Sequence, residues 1–145
     1  MPDDPLDLRC ICIEVRNAAQ ALTRLYDEQL LDAGISITQL SQLNHIHKLG
    51  APTLKALAEA TGLDRSTLGR NMRLLEKQGL VVLSSGEDAR TRIISLTRDG
   101  KAALRHAAPL WLDMQHTLNA RLGPRKRALL SELLSELTTQ PGSSP

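Results

Sequence analysis

The sequence contains very few aromatic residues: no Phe, one Tyr and one Trp among 145 residues. An interior without aromatic rings has to be built from aliphatic side chains, which suits packed helices better than a β-sandwich. Proteins that bind single-stranded nucleic acid stack bases on several aromatic rings, so the composition argues against that class. The hydrophobic share of 41% and the charged share of 23% are ordinary, which excludes a disordered or collagen-like chain.

Cysteines and long hydrophobic runs are also scarce. The two cysteines, Cys10 and Cys12, are too close in sequence to join distant parts of a fold, so we interpret them as free thiols in a reducing compartment. No run approaches the roughly 18 apolar residues that span a bilayer. The first residues, MPDDPLDLRC, are acidic where a signal peptide would be basic. The sequence therefore predicts a cytoplasmic protein without a membrane partner.

Apolar residues recur every three or four positions along most of the chain, which is the pattern of amphipathic helices. The first predicted helix spans residues 8–31. Thr38 is the expected cap of a second helix that runs to about Lys48. Thr53 and Asp64 are the expected caps of a third and a fourth helix, which are separated by a turn at Gly62.

After Gly79 the pattern becomes that of strands, and residues 81–83 and 92–96 predict a β-hairpin around a long loop. Thr97 is the expected cap of a long helix through residue 122, in which Pro109 should produce a kink. Gly123 should interrupt the chain before a last, leucine-rich helix, and the PGSSP tail should be frayed.

These elements predict a mainly α fold with a small β-hairpin. Residues 51–101 have the order of a winged helix-turn-helix, and residues 1–50 and 102–145 supply flanking helices. The apolar rows of the flanking helices are wide, and a small chain buries such rows most easily by pairing with a second copy. We therefore expect a homodimer held by these helices. The alternative is that they pack on the central unit.

The formal net charge is only +2, but acidic and basic residues are separated along the chain. Residues 1–50 contain four Lys/Arg and seven Asp/Glu, whereas residues 51–101 contain nine and six. The basic excess thus falls on the predicted winged helix-turn-helix and favours an anionic partner there. The alternative is an ordinary solvated surface of mixed sign.

In a winged helix-turn-helix, the second helix enters the major groove of DNA with its N-terminus first. If Leu68, Met72 and Leu75 are buried, the opposite face carries polar and basic residues and no carboxylate, and two further such residues lie near the leading end. These residues are Arg65, Ser66, Thr67, Gly69, Arg70 and Arg73. Hydroxyls at a helix start suit phosphate oxygens, and an arginine can bind the O6 and N7 atoms of guanine.

The predicted hairpin places Arg90 and Arg92 where a wing could reach the adjacent minor groove. Together with the helix face, this predicts binding to a double-stranded DNA operator. The alternative is a winged helix that docks a protein and not DNA. We do not expect an enzyme, because the sequence has no glycine-rich phosphate loop, no nucleophile elbow and no metal-ligand cluster.

The chain resembles the MarR family of bacterial winged-helix regulators over nearly its whole length. The segments that carry the resemblance are ISITQL at 35–40, LA at 57–58, TGL at 61–63, LLEKQGLV at 74–81, DARTR at 88–92 and SLTRDGK at 95–101. The resemblance implies a homodimer that binds a pseudo-palindromic operator and usually represses transcription. It also implies that Asp88 and Arg90 pair to shape the wing and that Arg90 enters the minor groove.

The resemblance further implies a small aromatic or anionic inducer, bound in a cleft lined from residues 8–48 and 102–116. The candidate lining residues are Arg16, His45, His106 and Trp111, for which ordinary surface or core roles are the alternative. His45 and His47 point about 200° apart on a helix, so they are not expected to bind one metal ion. No cofactor is expected.

Cys12 falls at the position of the reactive cysteine in the organic-hydroperoxide-sensing branch of the family, and Tyr26 at one of that branch's two activating tyrosines. Ile37 occupies the second tyrosine position, and Ile13 replaces the aromatic residue that usually follows the cysteine. Cys12 and Tyr26 lie about 21 Å apart along one helix, so a contact has to cross the dimer. Cys10 could cap an oxidised Cys12, although strain opposes a bond between residues two apart on a helix, where side chains diverge. The alternative is that Cys12 is a packing residue.

Overall fold

The computed structural model describes residues 9–139, which form five helices and one β-hairpin. In chain order these are α1 (Ile11–Gln29), a 3₁₀ turn (Leu31–Ala33), α2 (Ile37–Leu49), α3 (Leu54–Thr61), α4 (Arg65–Lys77), β1 (Val81–Ser85), β2 (Arg92–Leu96) and α5 (Arg98–Thr138). The predicted mainly α fold with a hairpin is confirmed. The predicted start of the first helix at residue 8 and the PGSSP tail lie outside the described residues.

Three of the predicted helix caps are confirmed. The Thr53 hydroxyl accepts a hydrogen bond from the backbone N–H of Ala56 at 3.1 Å, at the start of α3. Asp64 caps α4, and Thr97 caps α5. Each of these side chains satisfies a backbone N–H that has no partner within its helix.

The prediction for the start of α2 was wrong, because the cap is Ser36 and not Thr38. The Ser36 hydroxyl accepts from the Gln39 N–H, and the Gln39 side chain accepts from the Ser36 N–H, both at 3.1 Å. This reciprocal pair satisfies two backbone donors at once, which Thr38 could not do from inside the helix. The Asp27 carboxylate accepts from the N–H of Ile37 at 2.7 Å and ties α1 to the same helix start.

The interruption of the long C-terminal helix lies at Gly123, as predicted, and not at Pro109. Gly123 has non-helical dihedrals (φ 74°, ψ 164°) within α5, whereas no such departure occurs at Pro109. The φ that the proline ring imposes is itself helical, so Pro109 removes a hydrogen bond while its dihedrals stay helical. A positive φ is available to glycine at little cost.

The core is aliphatic, as the composition requires. It lies between α2, the two helices of the helix-turn-helix, the hairpin and the first part of α5. Its fully buried large side chains are Leu30, Leu43, Ile46, Leu57, Leu68, Met72, Leu75, Val81 and Ile94. The winged helix-turn-helix therefore has a core within one chain.

The hairpin is fixed to the start of α3 by a backbone hydrogen bond. β1 and β2 pair antiparallel, from Val81 opposite Leu96 to Ser85 opposite Arg92. The N–H of Ile94 donates to the carbonyl of Pro52 at 2.9 Å, which holds β2 against the start of α3. The wing therefore follows α4 in the chain and is held next to α3 in space.

The apolar rows of α1 and of the end of α5 stay exposed in a single chain. Leu22 is 40% exposed, Leu133 47% and Leu137 54%, and no residue of α1 is buried. In one chain the central unit therefore leaves these rows partly uncovered. Among the described residues, no helix has the length and apolar character needed to cross a membrane.

Candidate DNA-binding surface

Helix α4 separates a buried apolar row from an exposed polar face, as the sequence predicts. Leu68, Met72 and Leu75 are completely buried against the core. On the other side, Ser66, Arg70 and Arg73 are exposed, as is Arg65 at the leading end. Gly69 and Thr67 are half-buried between these two faces.

The leading end of α4 is organised by the predicted cap, the Asp64 carboxylate, which also contacts two hydroxyls that were not expected to bind it. Its Oδ1 accepts from the Ser66 hydroxyl at 2.6 Å and from the Thr67 N–H at 2.8 Å. Its Oδ2 accepts from the Thr67 hydroxyl at 2.8 Å. These hydrogen bonds, with that from Ser66 the largest effect, hold the pKa of Asp64 well below its usual range.

This network occupies the protons that the hydroxyls of Ser66 and Thr67 were expected to offer to phosphate oxygens. Both hydroxyls already donate their protons to Asp64, and a hydroxyl has only one proton to donate. Nη2 of Arg70 donates to the Thr67 oxygen at 3.3 Å, which extends the network one turn along the exposed face. Arg70 is thereby held by the same carboxylate, through Thr67.

A basic cleft lies between α4, the wing and the start of α3. Its cavity, of about 360 Å³, is lined by Thr53, Leu54, Lys55, Arg65, Arg90, Thr91 and Arg92. Arg65, Arg90 and Arg92 were predicted from the sequence to bind DNA, and the structure brings these three together. Lys55 was missed, because only the pairing of β2 with the start of α3 places it there.

The wing tip is shaped by Asp88 through the main chain. The Asp88 carboxylate accepts from the backbone N–H of Arg90 at 3.1 Å, and the Asp88 carbonyl accepts from the N–H of Thr91 at 2.9 Å. The resemblance implied a pairing of Asp88 and Arg90. In the structure the Asp88 carboxylate accepts from the backbone N–H of Arg90 and not from its guanidinium. The Arg90 side chain therefore stays exposed at the mouth of the basic cleft.

Of the four candidate inducer-cleft residues, only Trp111 lines the larger cavity between α2 and α5. That cavity, of about 490 Å³, is lined by Ile37, Leu40, Ser41, Asn44, Leu104, Ala108 and Trp111. His45 lines a different cavity, of about 410 Å³, and its Nδ1 contacts the Ser41 carbonyl at 2.8 Å. Arg16 and His106 are exposed and line neither of these two cavities.

Both cysteines are free and exposed, so Cys12 is not a buried packing residue within one chain. Cys10 precedes α1 with an extended backbone (φ −101°, ψ 123°), and Cys12 is the second residue of the helix. The predicted first helix, residues 8–31, included both cysteines. Cys10 lies outside α1 in the structure, so the argument that side chains two apart on a helix diverge does not apply to the Cys10 and Cys12 thiols.

Tyr26 is half-buried between α1 and α5, where its hydroxyl accepts a hydrogen bond from the Gln115 side-chain amide. Burial raises the pKa of the Tyr26 phenol, against the opposing effects of Gln115 and the positive charge of Arg127. The phenol therefore keeps its proton at neutral pH and can donate it to another group. Within residues 9–139, no three His, Cys, Asp or Glu side chains are placed to hold a metal ion.

Comparisons with known proteins point to one class of regulator. Residues 33–91 match the family model described as MarR family. The DNA-bound transcriptional regulator MosR of Mycobacterium tuberculosis is 37% identical, with a TM-score of 0.77 over 91% of this chain and all of that chain. The organic hydroperoxide resistance transcriptional regulator of Bacillus subtilis is 30% identical over 89% of this chain and 88% of its own length. A mutant MarR of Escherichia coli, bound to operator DNA, has the same fold, with 24% identity and a TM-score of 0.81 over 89% of this chain and 94% of that chain.

Proposed function

This chain belongs to the MarR family of winged-helix, DNA-binding transcriptional regulators, which are not enzymes, and from this we propose that it is a homodimeric repressor of a pseudo-palindromic operator. The observation that carries the proposal is the continuity of two surfaces. Arg65 belongs both to the exposed face of α4 and to the basic cleft with the wing. One duplex can therefore meet the helix in its major groove and the wing beside it.

The uncovered apolar rows support the dimer. Exposure of apolar side chains to water is unfavourable. The exposed apolar side chains of α1 and of the end of α5 lie on the two helices that flank the winged helix-turn-helix. A two-fold dimer places two recognition helices on one face of the duplex, about one helical turn apart. We place this activity in the cytoplasm.

The direct test is binding of the purified protein to duplexes selected from a randomised library. We expect a dimer that protects a pseudo-palindrome and loses at least about tenfold in affinity between roughly 50 and 200 mM salt, because binding releases counterions from the phosphates. A monomer at micromolar concentration, or an affinity independent of salt, contradicts the proposal. Failure to bind any duplex favours the alternative of a winged helix that docks a protein.

Arg90→Ala is expected to weaken operator binding about 10- to 100-fold without unfolding the protein, since a charge-assisted hydrogen bond contributes about 1.5–3 kcal/mol. The Arg90 side chain is exposed, so the core does not depend on it. Arg70→Ala should instead reduce discrimination between operator and random DNA, by about 1–3 kcal/mol if Arg70 contacts a base. Fluorescence anisotropy on both duplexes measures these effects.

Arg24→Ala is the matched control, because it removes the same charge from the exposed surface of α1. It should bind like the parent at each salt concentration. If Arg90→Ala and Arg70→Ala also bind like the parent, the recognition surface lies elsewhere on the protein.

We also propose that oxidation of Cys12 releases the operator. Its exposed thiol, the extended backbone at Cys10 and the similarity to an organic hydroperoxide resistance regulator support this. A Cys12 thiolate that attacks an organic hydroperoxide forms a sulfenic acid and an alcohol, and the Cys10 thiol can condense with that acid and release water. The alternative signal is a small aromatic inducer in the cavity lined by Trp111.

One equivalent of organic hydroperoxide is expected to release the parent protein from its operator and to leave Cys12→Ser bound. Activation of the Cys12 thiol toward the hydroperoxide should be weak, because Ile37 supplies no hydroxyl to stabilise a thiolate. Operator binding before and after treatment, with mass spectrometry of the thiols, measures this. If the parent stays bound after Cys12 is oxidised, or if both proteins release alike, the signal is a ligand and not the thiol.

A further inference from the structure

The hydroxyl of Ser66 has a fixed direction in its hydrogen bond at the leading end of α4. The Asp64 carboxylate is ionised at neutral pH, so it can only accept hydrogen bonds. The 2.6 Å contact between Ser66 Oγ and Asp64 Oδ1 therefore requires Ser66 to be the donor. The serine oxygen is left with lone pairs and no proton to offer.

Thr67 has less capacity left for a further partner. Its hydroxyl donates to Asp64 Oδ2 at 2.8 Å and accepts from Arg70 Nη2 at 3.3 Å, and the residue is half-buried. Ser66 is exposed and accepts no hydrogen bond from its neighbours among the described residues. Ser66 is thus the hydroxyl at this end of the helix that is free to accept.

The acceptor character of Ser66 decides which groups of DNA it can bind. Phosphate oxygens are acceptors, so Ser66 cannot bind them while it donates to Asp64. In the major groove the donors are the exocyclic amino groups of cytosine and adenine. We propose that Ser66, with its proton held by Asp64, is a specificity-determining residue that accepts a hydrogen bond from one of these amino groups. The inference rests on the proposed function, because it requires α4 to enter the major groove with its N-terminus first.

Rotation of the Ser66 hydroxyl toward a phosphate would not restore a phosphate contact at low cost. It would break a hydrogen bond to an ionised carboxylate, which is stronger than one between neutral groups. It would also bring the Asp64 charge close to the phosphate charge without a proton between them. The cations available for phosphates in this region are those that line the basic cleft, Lys55, Arg65, Arg90 and Arg92.

The test uses the parent, Ser66→Ala and the control Ser135→Ala, which removes an exposed hydroxyl from the end of α5. Each protein is titrated with the operator selected from a randomised duplex library. The same titration is repeated with duplexes in which one cytosine or adenine per half-site lacks its amino group, as 2-pyrimidinone or purine. At one position the parent and Ser135→Ala should lose roughly threefold to tenfold in affinity, the value of one hydrogen bond. Ser66→Ala should lose nothing further at that position.

Two other results would overturn the inference while leaving the proposed function intact. In one, Ser66→Ala binds all sequences more weakly by the same factor. The slope of its log affinity against log salt concentration is then smaller by the amount expected for about one phosphate contact. In the other, Ser66→Ala remains as sensitive as the parent to every amino-group deletion. If the parent binds no duplex at any salt concentration, the proposed function fails, and the inference fails with it.

Asp64→Asn gives a second variant with a different readout. Asn is as good a helix cap as Asp, so α4 should keep its start, which circular dichroism checks. The neutral amide does not hold the Ser66 proton as strongly as an ionised carboxylate. The preference at the Ser66 position should therefore weaken by a similar threefold to tenfold. An unchanged preference in Asp64→Asn contradicts a positioning role for this carboxylate.

Discussion

Gly100→Ala is expected to destabilise the protein by about 3 kcal/mol, the upper end of the cost of overpacking a buried site. Gly100 is buried in the first turn of α5, and a Cβ there would lie 2.0 Å from the backbone carbonyl oxygen of Leu80. A backbone carbonyl cannot turn away as a flexible side chain can. The helix and the start of the wing therefore have to separate.

The contact at Gly100 belongs to a joint that links the wing to α5. The Thr97 hydroxyl donates to the Gly79 carbonyl at 2.6 Å, and the Thr97 N–H donates to the Leu80 carbonyl at 3.1 Å. The same hydroxyl accepts from the Gly100 N–H at 3.0 Å and begins α5. Displacing this joint should also change the distance between the two recognition helices and weaken operator binding.

Gly69→Ala is the matched control, because a Cβ at Gly69 meets nothing within 4 Å. The substitution lies in the interior of α4 and should stabilise the helix by about 0.5–1 kcal/mol. Thermal unfolding at equal protomer concentrations measures both variants, and we expect a loss of roughly 10 °C for Gly100→Ala. A Gly100→Ala protein as stable as the parent would show that Leu80 and α5 are not in contact.

The recognition helix was predictable from the sequence because its burial follows from spacing alone. Leu68, Met72 and Leu75 recur at the helical period, and a period fixes which residues face the opposite side. The start of α2 was misplaced, although the Ser36 to Gln39 spacing of a capping box is visible in the sequence. By residue type, Ser36 and Thr38 are both candidate caps. Only the reciprocal hydrogen bond of the Gln39 side chain distinguishes Ser36 as the cap.

The basic cleft was only partly predictable, because it depends on contacts between elements. No local pattern indicates that Lys55 lies beside Arg92, since the pairing of β2 with the start of α3 brings them together. Arg16 and His106 were predicted to line an inducer cleft from the elements they occupy, and both lie outside the cavity between α2 and α5 of one chain. Asp64 was recognised as a cap, but the direction of its hydrogen bonds required coordinates.

The double variant Leu133→Glu with Leu137→Glu is expected to dissociate the proposed dimer. In one chain these leucines are 47% and 54% exposed, so about half of each side chain remains for a partner to bury. Full burial of a leucine contributes about 1.5–3 kcal/mol, so four half-buried leucines per dimer contribute about 3–6 kcal/mol. Unpaired carboxylates at the interface add a further cost. The dimer dissociation constant should rise at least about 100-fold.

Loss of the dimer should remove most operator affinity, because a monomer engages a single half-site and the second contact is no longer intramolecular. Helical content should stay close to the parent's, since the core of the winged helix-turn-helix lies within one chain. Leu49→Glu is the matched control, because Leu49 is 46% exposed but lies at the end of α2, outside the apolar rows of α1 and α5. Sedimentation velocity and operator titration measure both variants. A double variant that stays dimeric at nanomolar concentration, or a monomer that binds the operator as tightly as the parent, would refute the assignment of this face to the dimer.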